Sequence, residues 1–590
     1  MPRTLKHVDA VIVGMGFTGA IAAKELTDAG LNVVVLERGP DHETETTAKA
    51  PQVFDELAFD LRGKMLQRLN LETVTFRHKP GDRAVPMRQP GVFLLGNGTG
   101  GAGFHWSGMH WRAQPSDLTH RSTVIQRYGK RFIPEDMQIQ DFGVTYDELE
   151  PFFTHFEDVC GVSGQAGNVM GEKIEGGNPF EAPRSKHYPQ KQLPYAYASV
   201  LFSKAAKEVG FHPFPAPASN SSGNYTNPYG VKMGQCTFCG FCNDYGCYNS
   251  AKASPQSTIL PILRQRNNFE LRNDSHVLKV NLDGADKKAT GVTYINASGE
   301  KVVQPADLVI LAAFQLHNVR LLLLSGIGKP YDVRSGTGVV GKNFCYQFMG
   351  GSQVIMRKGT YLNPFASAGA AAACIDDFNG DNFDHGPLGF IGGAGIWHNK
   401  SGGRPITQSG PMPGSPAWGS QWKKGIVEGY QRITSVTSHG AVQPYRDVFL
   451  DLDPIYRDAY GLPLLRVTLD WHENEFKMSA YTSEQTTKIG RAMGGVEKVT
   501  QMNRKPGTPF DTTYYQTTHT TGGAIMGADQ TTSVVNRYLQ SWDVSNVFVY
   551  GANAFPQNIG YNPTGLVGAL AYWSTSHIKK QYLKKPGPLM

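Results

Sequence analysis

Gly14, Gly16 and Gly19, spaced G-x-G-x-x-G near the start of the chain, restrict its fold more than any other feature. VDAVIV (residues 8–13) reads as a buried strand, GMGFTG as a turn, and AIAAKELTDAG as an amphipathic helix ending at Gly30. LNVVVLE then reads as a second strand, ending in Glu37. Glycine at the turn keeps side chains away, so backbone N–H groups and the positive end of a helix can approach a pyrophosphate. Glu37 stands where an acidic residue accepts hydrogen bonds from a ribose. The order predicts an α/β, Rossmann-like dinucleotide-binding unit. A glycine turn that only packs strand on helix is the plainer alternative, and the acidic residue in register counts against it.

A second glycine cluster, LLGNGTGGAGFHWSGMHWR (94–112), contains Gly100, Gly101, His105 and Trp106. It is too glycine-rich for a regular element and predicts a backbone wrapped closely around a flat ligand. ADLVILAAFQLHNVRLLLLSG, from Ala306, reads as strand, turn and helix, and the segment from Phe269 to Val303 as a meander of alternating strands. Near the C-terminus, SNVFVYGANAFPQNIGYNPTGLVGALAYW supplies a strand, a loop and a helix that begins near Pro563. Pieces of one nucleotide-binding domain are therefore expected at 1–150, 255–340 and 510–590, with a discontinuous α+β substrate or cap domain at 151–254 and 341–509. Two Gly/Pro/Ser-rich stretches, 214–230 and 401–420, read as loops.

Of seven cysteines, four fall in one stretch, GQCTFCGFCNDYGCYNS: Cys236, Cys239, Cys242 and Cys247, spaced C-x2-C-x2-C-x4-C. That spacing suits an iron-sulfur cluster held by thiolates better than zinc, whose ligands usually form two separated pairs. Disulfides or free thiols fit the stretch less well; so short a loop has little room for two good bridges. No C-x-x-C-H occurs, so no haem attachment to this chain is expected. Cys160, Cys345 and Cys374 read as small apolar side chains. The net charge of +7 is mild for 590 residues and no nucleic-acid-type Lys/Arg run appears, so no nucleic acid is expected as a partner. No apolar run reaches the length of a membrane helix. The start superficially resembles a signal peptide, but Asp9 interrupts its apolar stretch and the glycine pattern explains it better.

With the first glycine motif, the GNGTGGAGFHWSGMHWR loop, YDELEPFF at Tyr146, and the C-terminal THTTGGAIMG and GYNPTG, the chain resembles the glucose-methanol-choline (GMC) oxidoreductases, flavoproteins that oxidise alcohols. The motifs run from the first strand to the last helix. QCTFCGFC followed by AKASPQ makes it most similar to the bacterial membrane-associated sugar and sugar-acid dehydrogenases of that family. The resemblance implies FAD bound by Gly14, Gly16, Gly19, Glu37, Gly100, Gly101, His105, Trp106, Gly551, Ala552 and Pro563. Some relatives tether FAD covalently through a histidine in this loop, which makes His105 the place to look.

Removing hydride from a carbinol requires an acceptor, a base for the hydroxyl proton and a polar group that orients the alcohol. His519 falls on the family's catalytic histidine, and its imidazole is a suitable base. Asn562 falls on the family's second catalytic position; preceding Pro563, it also reads as a helix N-cap. The resemblance further implies a 3Fe-4S cluster, which needs three thiolates where four are present. Which is spare, or whether a fourth iron is held, stays open. Electrons are then expected to pass to a cytochrome c subunit and eventually to membrane quinone, with a small signal-bearing third subunit. Such a complex would sit peripherally on the periplasmic face of the bacterial inner membrane, exported with its partner.

The expected substrate is a sugar acid, gluconate going to 2-ketogluconate. A glucose, fructose or sorbitol dehydrogenase is the alternative within the fold, an electron-transfer flavoprotein without its own catalysis the alternative outside enzymes, and a peroxide-forming oxidase a third reading. Phe314 and Val319 stand where relatives often have glycine and proline, and VGKNFCYQF replaces a usual acidic-histidine ending, which puts local FAD contacts in question.

Overall fold

The computed structural model describes residues 2–53, 55–61, 65–88, 92–285, 287–400, 402, 410–511 and 517–589. Its main sheet is built from widely separated parts of the chain. Strands Phe269–Arg272, Val33–Leu36, Val8–Val13 and Lys301–Leu311 lie side by side in parallel, and Val547–Val549 extends the sheet beside the last turn of Lys301–Leu311. All of Val33–Leu36 and Val547–Val549 is buried, as short continuous apolar strands covered on both faces must be. The first half of Lys301–Leu311 turns antiparallel with Ala289–Ile295, which pairs in turn with His276–Leu282. The meander read from the sequence therefore holds for its last three strands only. Phe269–Arg272 instead closes the parallel edge beside Val33–Leu36.

Helix Phe17–Asp28 follows the glycine turn, with Gly16 as its N-cap, and is buried along most of its length. Helix Tyr146–Cys160 opens with a capping box, Thr145 and Glu148 each satisfying the other's backbone N–H, and ends at left-handed Gly161. The C-terminal helix Thr564–His577 packs against both. Gly568 permits that approach: a Cβ there would lie 2.1 Å from the Phe156 ring.

A second sheet of six strands, in the order Val496–Met502, Phe348–Met356, Ile433–Gly440, Ala394–His398, Ala373–Ile375 and Phe214–Pro215, carries helix Glu473–Ala492 on one face. A smaller sheet joins Phe449–Arg457 and Pro463–Thr468 to Val74–Arg77 and Val85–Pro86. A division drawn at residues 150 and 340 cuts through this sheet, because it pairs a segment assigned to the nucleotide-binding part with one assigned to the cap. Of the expected loop at 401–420, residues 401 and 403–409 lie outside the described residues, and its end enters helix Gly419–Arg432. No helix among the described residues is long and apolar enough to cross a membrane.

Candidate active site

A long groove with about 1430 Å³ of atom-free space follows the carboxyl ends of the parallel strands, where Val13, Leu36, Ala312 and Tyr550 line it. Its floor is backbone. Gly14 has φ +101°, and a Cβ there would lie 2.5 Å from the Ala312 carbonyl oxygen, so strain and contact both exclude a side chain. At Gly16 a Cβ would meet nothing within 4 Å and would project into the groove. Gly19 does not line the groove; its absent side chain lets the helix rest on the Gly14 carbonyl, 2.0 Å from an ideal Cβ. The turn thus closes on one side and leaves the other free for a ligand at the helix N-terminus.

Glu37 is buried and lines the groove. Its carboxylate accepts from Met15 N at 3.0 Å, Gly39 N at 3.0 Å and Gly98 N at 3.3 Å, tying the first glycine turn to the second. Gly100 N donates to Met15 O at 2.8 Å across the same junction. Gly100, Gly101, Trp106, Gly551, Ala552 and Pro563 all line the groove, as expected of a cofactor wall. This backbone-walled cradle, with an acidic side chain at a strand end and a helix N-terminus beside it, fits FAD. Phe314 lines it too, at φ +74° ahead of helix Gln315–Ser325. Positive φ at a bulky residue is a strained conformation that glycine would adopt freely.

Beside Glu37 the groove is charged. Arg38 and Arg320 both pair with buried Glu72, and Arg320 also reaches Asp458 at 2.6 Å. Burial raises the Glu72 pKa, but neighbouring His317, Arg38, His276 and Arg320 outweigh it and hold the carboxyl well below its usual range.

The other end is neutral. His519 and Asn562, 43 positions apart, come together with Nε2 and Nδ2 3.1 Å from each other. Asn562 Oδ1 accepts from Trp111 Nε1 at 3.1 Å, and His519 Nδ1 bonds Gln347 Oε1. Burial pushes the His519 imidazole down to about 4, so it is neutral at ordinary pH. Trp111 stacks on Tyr561, ring centroids 4.9 Å apart, and the Tyr561 hydroxyl bonds Asp376. Asn562 is not the helix N-cap. Pro563 takes that place, and the Asn562 amide is engaged by Trp111 and His519 instead. A hydroxyl placed against the pair could accept from the amide and donate to the imidazole. Trp111 and Gln347 were not visible as site residues, since their bonds to Asn562 and His519 span 451 and 172 positions.

His105 departs from expectation. It is buried but does not line the groove. Burial, then the charges of Lys252 and His42, lower its pKa to about 3, and its Nε2 has no hydrogen-bond partner. The short turn Ala102–His105 presents Trp106, not His105, to the cofactor space, so this placement does not support a covalent tether.

Behind Trp106 lies the cysteine loop. Cys236, Cys239, Cys242 and Cys247 form no disulfides, and each sulfur lies close enough to others to affect them electrostatically. Asn220 Nδ2 donates to Cys242 Sγ at 3.6 Å and Lys252 N to Cys247 Sγ at 3.4 Å. Lys252 is 1% exposed, and its Nζ donates to the carbonyls of Trp106 at 2.6 Å and of Cys242 and Tyr245 at 2.8 Å each. Among the described residues no three His, Cys, Asp or Glu side chains are grouped to hold a single metal ion. The other three cysteines are buried, as expected.

Groove, glycine turns and family signature agree. An FAD-dependent oxidoreductase model matches residues 9–127 and GMC oxidoreductase models match 187–349 and 444–571. The chain belongs to the GMC oxidoreductases and is an FAD-dependent enzyme. It is 54% identical to the gluconate 2-dehydrogenase flavoprotein of Pantoea cypripedii, over 99% of this chain and 96% of that one. It is 25% identical to the fructose dehydrogenase large subunit of Gluconobacter japonicus, over 97% of each. The 2-methyl-1,2-propanediol dehydrogenase of Mycolicibacterium austroafricanum is also 25% identical, over 99% of this chain and 97% of that one. Among solved structures, the formate oxidase of Aspergillus oryzae superposes with a TM-score of 0.60 at 15% identity, covering 98% of this chain and 99% of that one, which shows a shared fold.

Proposed function

We propose that the chain is the flavoprotein subunit of a gluconate dehydrogenase that forms 2-ketogluconate and passes electrons through an iron-sulfur cluster to a cytochrome c subunit. The observation that carries this reading is the neutral His519–Asn562 pair at one end of an FAD groove, in a chain more than half identical to a gluconate 2-dehydrogenase flavoprotein. FAD, when bound, supplies the two-electron acceptor for the alcohol. The remaining tasks fall to side chains. Asn562 Nδ2 orients the substrate hydroxyl, and His519 Nε2 takes its proton. Trp106, Pro563 and Thr564 wall the groove.

The cysteine loop supports the electron-relay part. Buried Lys252 donates only to carbonyls, while Cys242, Cys247, Asp244 and Cys239 lie near enough to favour its charge against the cost of burial. Thiolates of the cysteines would add negative charge beside this ammonium, and N–H groups already point at two sulfurs. An iron-sulfur cluster on these thiolates, with three or four of them as ligands, would accept single electrons. A cytochrome partner, a small signal-bearing subunit and a periplasmic, peripheral location follow as parts of the same proposal. The "large subunit" in the fructose dehydrogenase relative's name is consistent with partners.

A neutral-sugar dehydrogenase remains the second reading, and one observation favours it. The cations that line the groove, Arg38 and Arg320, are both engaged by Glu72, so among the described residues the groove offers no unengaged Arg or Lys for a substrate carboxylate. Anaerobic titration with gluconate, glucose, fructose and sorbitol, following flavin bleaching, separates the two. A low-temperature EPR spectrum of the oxidised protein tests the cluster; an iron-free, EPR-silent intact protein sinks it.

A further inference from the structure

We propose that Gln347 and Trp111 are positioning residues that lock His519 in one tautomer, with the proton on Nδ1 and the Nε2 lone pair aimed at the substrate hydroxyl. The proposal rests on the reading of His519 as the base and adds what keeps that base competent.

Two independent chains of hydrogen-bond logic meet at the imidazole. The indole of Trp111 can only donate, so the Asn562 atom facing Nε1 at 3.1 Å is the amide oxygen. The Asn562 atom 3.1 Å from His519 Nε2 is then the NH2 group, which can only donate, and Nε2 must accept. On the opposite side, Gln347 Nε2 faces the carbonyl oxygens of Ile559 and Tyr561, both at 3.4 Å, and carbonyls can only accept. That directs Gln347 Oε1 toward Nδ1, and an amide oxygen can only accept, so Nδ1 must carry the proton. The other tautomer would set N–H against N–H at one nitrogen and lone pair against lone pair at the other.

Gln347 is fully buried, and its backbone N–H donates to the His519 carbonyl at 3.2 Å, so the two residues are held together twice. The titratable group facing the imidazole is His439 on strand Ile433–Gly440, with ring centroids 5.5 Å apart, itself neutral through burial. Burial alone lowers the His519 pKa; no charged side chain contributes to the shift.

In the step this serves, the substrate O–H bond breaks, its electron pair stays on oxygen, and the proton goes to Nε2. The imidazolium then donates from both nitrogens, with Gln347 Oε1 already accepting at Nδ1. At Nε2 the Asn562 amide, which donates there at 3.1 Å in the resting site, has to turn its N–H to the substrate oxygen as the proton arrives.

The test is anaerobic stopped-flow flavin reduction by the flavin-loaded full chain across pH, in wild type, Gln347→Leu, Gln347→Glu, Trp111→Phe and His519→Ala. Gluconate is the probe, or whichever of glucose, fructose and sorbitol bleaches the wild-type flavin. Gln347→Leu should slow reduction about 100-fold or more while substrate affinity changes only about threefold, since tautomer loss acts on the proton-transfer step. Trp111→Phe, which keeps the stack on Tyr561 but frees the amide to flip, should cost about tenfold. Gln347→Glu restores an acceptor and should recover most of the rate. Its low-pH limb should move to higher pH, because a carboxylate beside Nδ1–H stabilises the imidazolium. A slow Gln347→Leu with an unmoved limb in Gln347→Glu would mark a merely structural role and overturn the proposal. So would wild-type rates in both Gln347→Leu and Trp111→Phe. If Gln347→Leu fails to fold, the limb in Gln347→Glu decides. A His519→Ala variant at wild-type rate removes the base reading and the proposal together, whereas an inactive His519→Ala beside wild-type-like Gln347 variants removes the proposal alone.

Discussion

The two ends of the groove solve opposite electrostatic problems. Around Glu72 the chain concentrates formal charge, Arg38 and Arg320 against one buried carboxylate with His276 and His317 alongside, and pairs it. Around His519 it gathers neutral groups, an imidazole, two amides and an indole. The difference teaches what each end has to do. Paired charges hold a wall together, and a change in protonation there would break it. A proton acceptor must change charge during the reaction, so its neighbours should accept and donate without fixing its charge state.

The largest expected effect comes from the backbone floor that both ends share. Gly14→Val places a side chain against the Ala312 carbonyl at a φ that L residues rarely adopt, and should abolish flavin binding. Absorbance of the purified variant reports it; a full flavin complement would contradict the cradle described. Next, His519→Ala should slow flavin reduction by about 10²- to 10⁴-fold, the usual contribution of a general base, with FAD retained. A variant that instead lost its flavin would place His519 in the binding wall and blur the contrast between the ends.

Glu72→Gln should leave flavin-reduction chemistry alone and lower stability by about 3–5 kcal/mol, because it takes the carboxylate from Arg38 and leaves Arg320 with Asp458 alone. Urea unfolding of the holoprotein measures it, and a stability unchanged from wild type would show that the charged end bears no structural weight. The smallest effect is in the pH profile. With His519 depressed to about 4 by burial, the base is deprotonated above that value and flavin reduction should stay flat through neutral pH, falling only as pH approaches about 4. A limb near the ordinary imidazole value would mean that the site is better hydrated than its burial indicates.

Local features of the sequence carried the nucleotide-binding turn. A glycine motif, its flanking apolar strands and Glu37 lie within one short segment, and backbone geometry there depends on residues next to one another. Asn562 was legible as a position but not in its contacts. Asn-Pro reads as an N-cap and first turn, yet helix Thr564–His577 starts one residue later and Trp111, from far upstream, takes the amide. His105 misled for a related reason. A histidine in a cofactor loop is chemically suited to a tether, but which way a four-residue turn points its side chains depends on what packs behind it, here Lys252 and the cysteine loop.

The sequence by itself determined the dinucleotide turn, the clustering of four thiols and the candidates for base and orienting amide, because each is a property of residue type at short spacing. The tertiary structure decided which strands share a sheet, that Lys252 is buried against the thiols, and that Gln347 and Trp111 meet His519 and Asn562. The contacts of Gln347 with His519 and of Trp111 with Asn562 span 172 and 451 positions, and donor–acceptor geometry at such separation exists only once the parallel sheet and the cap sheet have closed around the groove.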